Sequence, residues 1–196
     1  MMRRVVAGAF LGLAWGAALR AWMTLLALEF GDRPQYTWLG TFGAILLPAA
    51  LMGAVLGRAT WAAETSAEPS VEVSARKRWR WAILSPLMMV LAPVVLMEDF
   101  IPTLLATGMG SGAIGVGLIG LMGGYALSGS GMSWLRWLSG LFALLLTLAS
   151  GAGLFFVNGV ADISQSAGKA FVALLFILLM ALLNAGVGAP FRYRSK

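Results

Sequence analysis

Residues 5–28 read VVAGAFLGLAWGAALRAWMTLLAL, a stretch of 24 residues carrying a single charge, Arg20. Wound as an α-helix it rises about 36 Å. That exceeds the roughly 30 Å hydrocarbon layer of a bilayer, so the segment crosses with some tilt. The preceding Met1-Met2-Arg3-Arg4 resembles the start of a secretory signal. Cleavage would have to fall near Ala18-Leu19-Arg20-Ala21, where leucine and arginine fit a small-residue site badly, and apolar sequence resumes at Trp22. The expectation is an uncleaved first membrane helix.

Five more apolar stretches follow, at 37–57, 82–97, 101–127, 138–157 and 170–187. Gly31-Asp32-Arg33-Pro34, Ser128-Gly129-Ser130-Gly131 and the polar segment 158–166 separate several of them. The stretch at 82–97 is the weakest. Its 16 residues would rise only about 24 Å, and Pro86 and Pro93 each remove a helical hydrogen bond. Pro48 marks a kink in the preceding stretch, and Asp99 with Pro102 suits the first turn of the following one. The chain is 60% hydrophobic and 11% charged, against roughly 25% charged residues in soluble domains. The expected fold is an all-α polytopic membrane protein: a six-transmembrane-helix bundle, a single integral domain over residues 1–196, multi-pass in the cell membrane.

Charge orients this bundle. With the N-terminus inside, eleven of the fourteen basic residues fall on inner segments: Arg3, Arg4, Arg58, Arg76, Lys77, Arg78, Arg80, Arg136, Arg192, Arg194 and Lys196. The outer segments keep Arg33 and Lys169, beside Glu29, Asp32, Glu98, Asp99 and Asp162. The positive-inside bias then predicts cytoplasmic N- and C-termini and a basic cytoplasmic linker at 59–81. Trp79 and Trp81 in that linker suit the headgroup region. Because the basic residues flank apolar runs, the net charge of +6 points to membrane lipids rather than nucleic acid.

Twenty-five glycines add a packing signal, since small residues four apart let membrane helices approach closely. Gly12 and Gly16, Gly53 and Gly57, Gly108 and Gly112, and Gly120 and Gly124 have this spacing, and are candidate helix contacts within the chain, in a homo-oligomer or with a partner membrane subunit. A phosphate-loop reading of residues 108–124 fails, because no lysine followed by serine or threonine is present. The chain has no cysteine and no histidine, which excludes thiolate nucleophiles, Cys/His metal sites and imidazole bases. Its methionines are scattered over different spans without a ligand pattern for copper. Ser85 and Ser150 lack a histidine base, and no cofactor is identified. Glu98-Asp99 could hold a hard cation, a weak signal without further ligands.

Arg20 is the most informative residue. It lies 16 residues beyond Arg4 and nine before Glu29, about 24 and 14 Å along a helix, in the outer half of the hydrocarbon. An arginine there is costly and is expected to face the bundle or a wet cavity. Arg20, Glu29, Glu98 and Asp99 are the candidate ligand-binding residues of an outward-facing polar pocket, with Arg20 paired to Glu98 or Asp99. The leading functional reading is a small transport-related protein, either a solute transporter or the membrane-embedded substrate-binding subunit of one. The alternatives are a structural or assembly subunit of a membrane complex, and an intramembrane enzyme acting on a lipid-linked substrate.

Overall fold

Every regular element is helical in the computed structural model, which describes residues 1–29, 33–65, 80–107, 111–129, 131–156 and 163–192. Helix α1 (Met2–Glu29) precedes a π-helical stretch, Leu39–Leu46, that runs directly into α2 (Leu47–Glu64). A 3-10 stretch, Arg80–Leu87, leads into α3 (Met88–Leu96), followed by α4 (Phe100–Thr107). Helices α5 (Ser111–Leu127), α6 (Ser133–Phe156) and α7 (Ile163–Arg192) complete the chain.

The irregular stretches have a local cause. The Leu47 N–H donates to the Phe42 carbonyl, five residues back. Pro48 follows at the start of α2; it has no N–H, and in an α-register its ring would press on the carbonyl four residues earlier. The wider π turn before it eases that ring contact. Pro86 lies in the 3-10 stretch and Pro93 in α3, so the segment between 80 and 96 never becomes one straight helix.

These breaks overturn the six-transmembrane-helix bundle. Among the described residues, four helices are long and apolar enough to cross a membrane: Met2–Glu29, Leu39–Glu64, Ser133–Gly153 and Ala167–Phe191. A fifth crossing is reached only if Trp81–Leu96 and Phe100–Ala106, bent by 101° to each other, count as one broken span. Within the expected span at 101–127 the described residues form α4 and the 17-residue α5 on either side of 108–110, the latter about 25 Å long. The counting argument that placed both termini in the cytoplasm lapses with the six crossings. What holds is an apolar, multi-span helical membrane protein. Most of the expected linker, 66–79, lies outside the described residues, as do Gly108 and the 193–196 tail.

Helices α1 and α2 form an antiparallel pair, and α7 packs against α1, α2, α5 and α6. The main core joins Leu19, Met52, Met89, Ile119, Phe176 and Met180 from five helices. A smaller cluster of Ala59, Ala82, Ile83 and Phe191 closes one end. At that same end the Arg4 side chain pairs with Glu64 at 3.0 Å, and Arg136 donates to the Ala126 carbonyl at 3.2 Å from two nitrogens. Gly129 and Gly131 turn α5 into α6 with φ of 71° and 92°, which favours residues without a Cβ. This is the basic end of the bundle. The other end carries Glu29, Gln35–Gly40 and the α3–α4 bend.

Candidate functional site

The site grows out of one face of α1. Gly8, Gly12, Gly16, Arg20 and Thr24 recur every four residues, so they share a single stripe. The lower three sit against α2. A methyl group added to Gly8 would strike the Gly53 carbonyl, one on Gly12 the Ala49 carbonyl, and one on Gly16 would lie 2.7 Å from the Ala49 Cβ. The approach is reciprocal: methyl groups on Gly53 and Gly57 would strike the Gly8 and Arg4 carbonyls.

One turn above Gly16, the partner changes from α2 to the π stretch and the seam becomes polar. The Arg20 guanidinium donates through Nη2 to the Gln35 carbonyl and through Nε to the Thr41 hydroxyl at 3.4 Å. Its carbon lies 4.4 Å from the centre of the Tyr36 ring, a cation–π geometry contributing about 0.5–2 kcal/mol. The Thr24 hydroxyl donates to the Arg20 carbonyl at 3.1 Å and stands 2.5 Å from the Tyr36 hydroxyl. One of the two hydroxyls donates to the other, so both are engaged within the cluster.

The expected acids do not meet Arg20. Glu98 and Asp99 are exposed at the bend between α3 and α4, and among the described residues neither forms an ion pair with it. The π stretch stands in between. Thr41 faces Arg20, while methyl groups on Gly40 and Gly43 would lie 3.5 and 3.2 Å from Met97 and Leu96 of α3. Glu29 is exposed at the end of α1, its carboxylate laid over Gly168 of α7. Among the described residues, no three Asp, Glu, His or Cys side chains group as metal ligands.

The remaining candidate glycines divide. Gly120 faces Pro86 and Leu183, each 2.8 Å from an added methyl, and Gly124 faces Val187. Gly112 and Gly115 have no described atom within 4 Å of that position.

Sequence reading missed two tryptophans that tie α1 to α7. Trp15 Nε1 donates to the Leu179 carbonyl at 2.9 Å, and Trp22 Nε1 to the Val172 carbonyl at 2.8 Å. Trp22 also packs on Phe176, ring centres 4.8 Å apart. Seven residues separate the indoles on α1, and seven separate their acceptors on the antiparallel α7. The available signal was their position: an indole N–H in mid-helix, away from the interfacial belt, must find an acceptor. Lys169 was read as an outer-loop base; it is buried, 8% exposed, on the inward stripe of α7 with Val172 and Phe176.

No protein-family model matches the chain. Comparisons with curated proteins and with solved structures return no match either. The chemistry of the Arg20 cluster therefore has to carry the functional argument. Its acceptors among the described residues are a carbonyl and a hydroxyl, both neutral, so no described group neutralises the positive charge. Arginine has five N–H donors; two are used, which leaves both on Nη1 and one on Nη2 without a partner among the described residues.

Proposed function

We propose that this chain is a small transport-related membrane protein whose Arg20 cluster recognises an anionic group. The observation that carries the reading is the guanidinium held by Gln35, Thr41 and Tyr36 with no carboxylate on it among the described residues. Charge placed within a membrane helix is costly and marks ligand or ion pathways. Two further features support the same class. π-helical turns concentrate at functional sites, and the neighbouring broken span, Trp81–Leu96 with Phe100–Ala106, resembles the discontinuous helices that surround transporter sites. On this reading Glu29, Glu98 and Asp99 line the approach at the same end of the bundle.

The test uses the purified protein reconstituted in lipid nanodiscs and in proteoliposomes. Inorganic phosphate, acetate and sulfate should raise the thermal stability of the wild type and leave Arg20→Met unaffected, while matched choline or potassium salts of inert anions should do nothing. Movement of a labelled responding anion across the proteoliposome wall separates a transporter proper from a substrate-binding subunit. Identical anion responses in the wild type and Arg20→Met would sink the reading.

A second reading, an assembly subunit, is favoured by Gly112, Gly115 and Gly186, where an added methyl would meet no described atom within 4 Å. Small residues on an open helix surface suit contact with another membrane helix, from a second copy or a partner subunit. The oligomeric state in nanodiscs tests it, with Gly112→Leu and Gly186→Leu expected to break any assembly these surfaces make.

A further inference from the structure

We infer that the anion Arg20 takes is the phosphodiester of a membrane lipid headgroup; this rests on the anion-recognition reading above and names its ligand. The first argument is the shape of what remains free. Gln35 and Thr41 hold Nη2 and Nε, and Tyr36 covers the guanidinium within cation–π distance. Among the described residues the unengaged donors are the pair on Nη1 and one on Nη2. Planar, charged N–H donors of this kind suit the oxygens of a phosphate or carboxylate. The Tyr36 and Thr24 hydroxyls face each other, so the guanidinium N–H groups are the charged donors the cluster offers.

The second argument is where the cluster opens. Trp38 is 81% exposed and stacks on the half-exposed Phe42 at 4.8 Å. Tyr36, Leu39 and Leu47 are exposed beside them. A run of exposed tryptophan, tyrosine and aliphatic side chains at a helix end is the composition that settles where hydrocarbon meets headgroups. Arg20 is rooted deeper, one turn above the closed glycine seam, and its head reaches up to Gln35 at this aromatic level. An aromatic level of this kind sits at the depth of the lipid phosphates, so on this placement the guanidinium reaches them. Phosphodiesters are the anions present there at the highest local concentration. A carboxylate from solution would have to enter the same belt against them.

The experiment uses the full chain, purified and delipidated in detergent, with dihexanoyl phosphatidylglycerol as the lipid probe. Dihexanoylglycerol has the same acyl chains without the phosphate; inorganic phosphate and acetate supply the anion without the chains. The phospholipid should stabilise the wild type well beyond dihexanoylglycerol. Its apparent affinity should fall about tenfold in Arg20→Lys, which keeps the charge and loses the planar donors, and further in Arg20→Met, since hydrogen bonds to charged groups carry that order of discrimination. If Arg20→Met does not fold, the Arg20→Lys difference decides. Equal stabilisation by dihexanoylglycerol, or an unchanged affinity in Arg20→Lys, overturns the inference. Arg20-dependent stabilisation by inorganic phosphate or acetate, but not by the phospholipid, overturns the lipid assignment and leaves anion recognition standing. No Arg20-dependent response to any of the anions overturns both.

Discussion

From Gly8 to Gly16 the seam between α1 and α2 has no room for a methyl group, whereas from Arg20 to Thr24 the same helical face holds a guanidinium, a hydroxyl and a tyrosine ring. The two halves differ in what faces them. Below, α2 presents carbonyls and glycine Cα atoms, so contact comes from backbone approach, and weak Cα–H···O interactions become available. Above, the π stretch carries the chain wide of the α-helical path, and the gap is filled by long polar side chains. Pro48 stands at the change-over, where α2 begins. A closed half that fixes the helix pair is joined to an open half whose guanidinium meets no carboxylate among the described residues, and the contrast fits stability to the one and the proposed recognition to the other.

The closed half gives the largest expected effect. Gly12→Leu or Gly53→Leu should abolish folded yield, because the added atoms meet backbone that has no rotamer to yield. Gly12→Ala, the smaller insult, should cost about 1–3 kcal/mol, the usual range for overpacking. Gly112→Ala is the matched control on an open surface and should leave the melting temperature in detergent unchanged. Equal melting temperatures for the two alanine variants would remove the distinction between closed and open glycines.

Next in size are the tryptophans linking α1 to α7. Trp15→Phe and Trp22→Phe keep an aromatic ring and delete the donor. Each should cost on the order of 1 kcal/mol, in line with single interhelical hydrogen bonds in membranes. The pair should be close to additive, since one turn of helix and more separates them. Thermal unfolding of both single variants and the double variant measures this; no loss in any of them would show that the indole bonds do not hold α7 in place.

Legibility in the sequence followed the range of the interactions. Helix α1 and the apolar character of α2, α6 and α7 could be read directly, because run length alone reports them. The glycine spacing at Gly12–Gly16 and Gly53–Gly57 was visible, but not which pair meets which, since register depends on how the two helices are joined. The span count failed where the chain breaks locally: Pro86 and Pro93 weakened the third stretch, but the 101° bend at Met97–Asp99 depends on how short pieces pack. At the site, Arg20 was legible as a charge in an apolar helix. Its partners were not, because Gln35 acts through a backbone carbonyl and Tyr36 through its ring face, and neither leaves a composition signal. The burial of Lys169 was not legible either, because only the inward stripe of α7 reveals it.

Arg20→Met should change stability less than any of these, by under about 1 kcal/mol. Removing the side chain forfeits the Gln35 and Thr41 bonds and the Tyr36 contact, but it also removes a charge that costs about 2.5–3.5 kcal/mol at mid-membrane and less near the interface. The terms oppose each other. The variant should fold, and its defect should appear in the anion response. A collapse of stability as large as that of Gly12→Ala would make Arg20 a structural element of the seam and erase the division between its halves.

The smallest expected effect separates the two roles of Tyr36. Tyr36→Phe keeps the ring face under the guanidinium and loses only the hydroxyl, whose partner Thr24 still donates to the Arg20 carbonyl. The cost should be a few tenths of a kcal/mol, because the hydroxyl lies at an exposed position where water can replace the bond. Tyr36→Leu keeps apolar bulk and loses the ring, so it should forfeit the cation–π contribution of about 0.5–1 kcal/mol at an exposed site. It should also leave the guanidinium free to swing off its axis. The expected pattern in a titration with the phospholipid probe is near-wild-type affinity for Tyr36→Phe and several-fold weaker binding for Tyr36→Leu, with melting temperatures that differ little. Weaker binding in both variants alike would move the determinant from the ring to the hydroxyl and make Thr24 and Tyr36, rather than the stacked arginine, the part of the open half that reads the ligand.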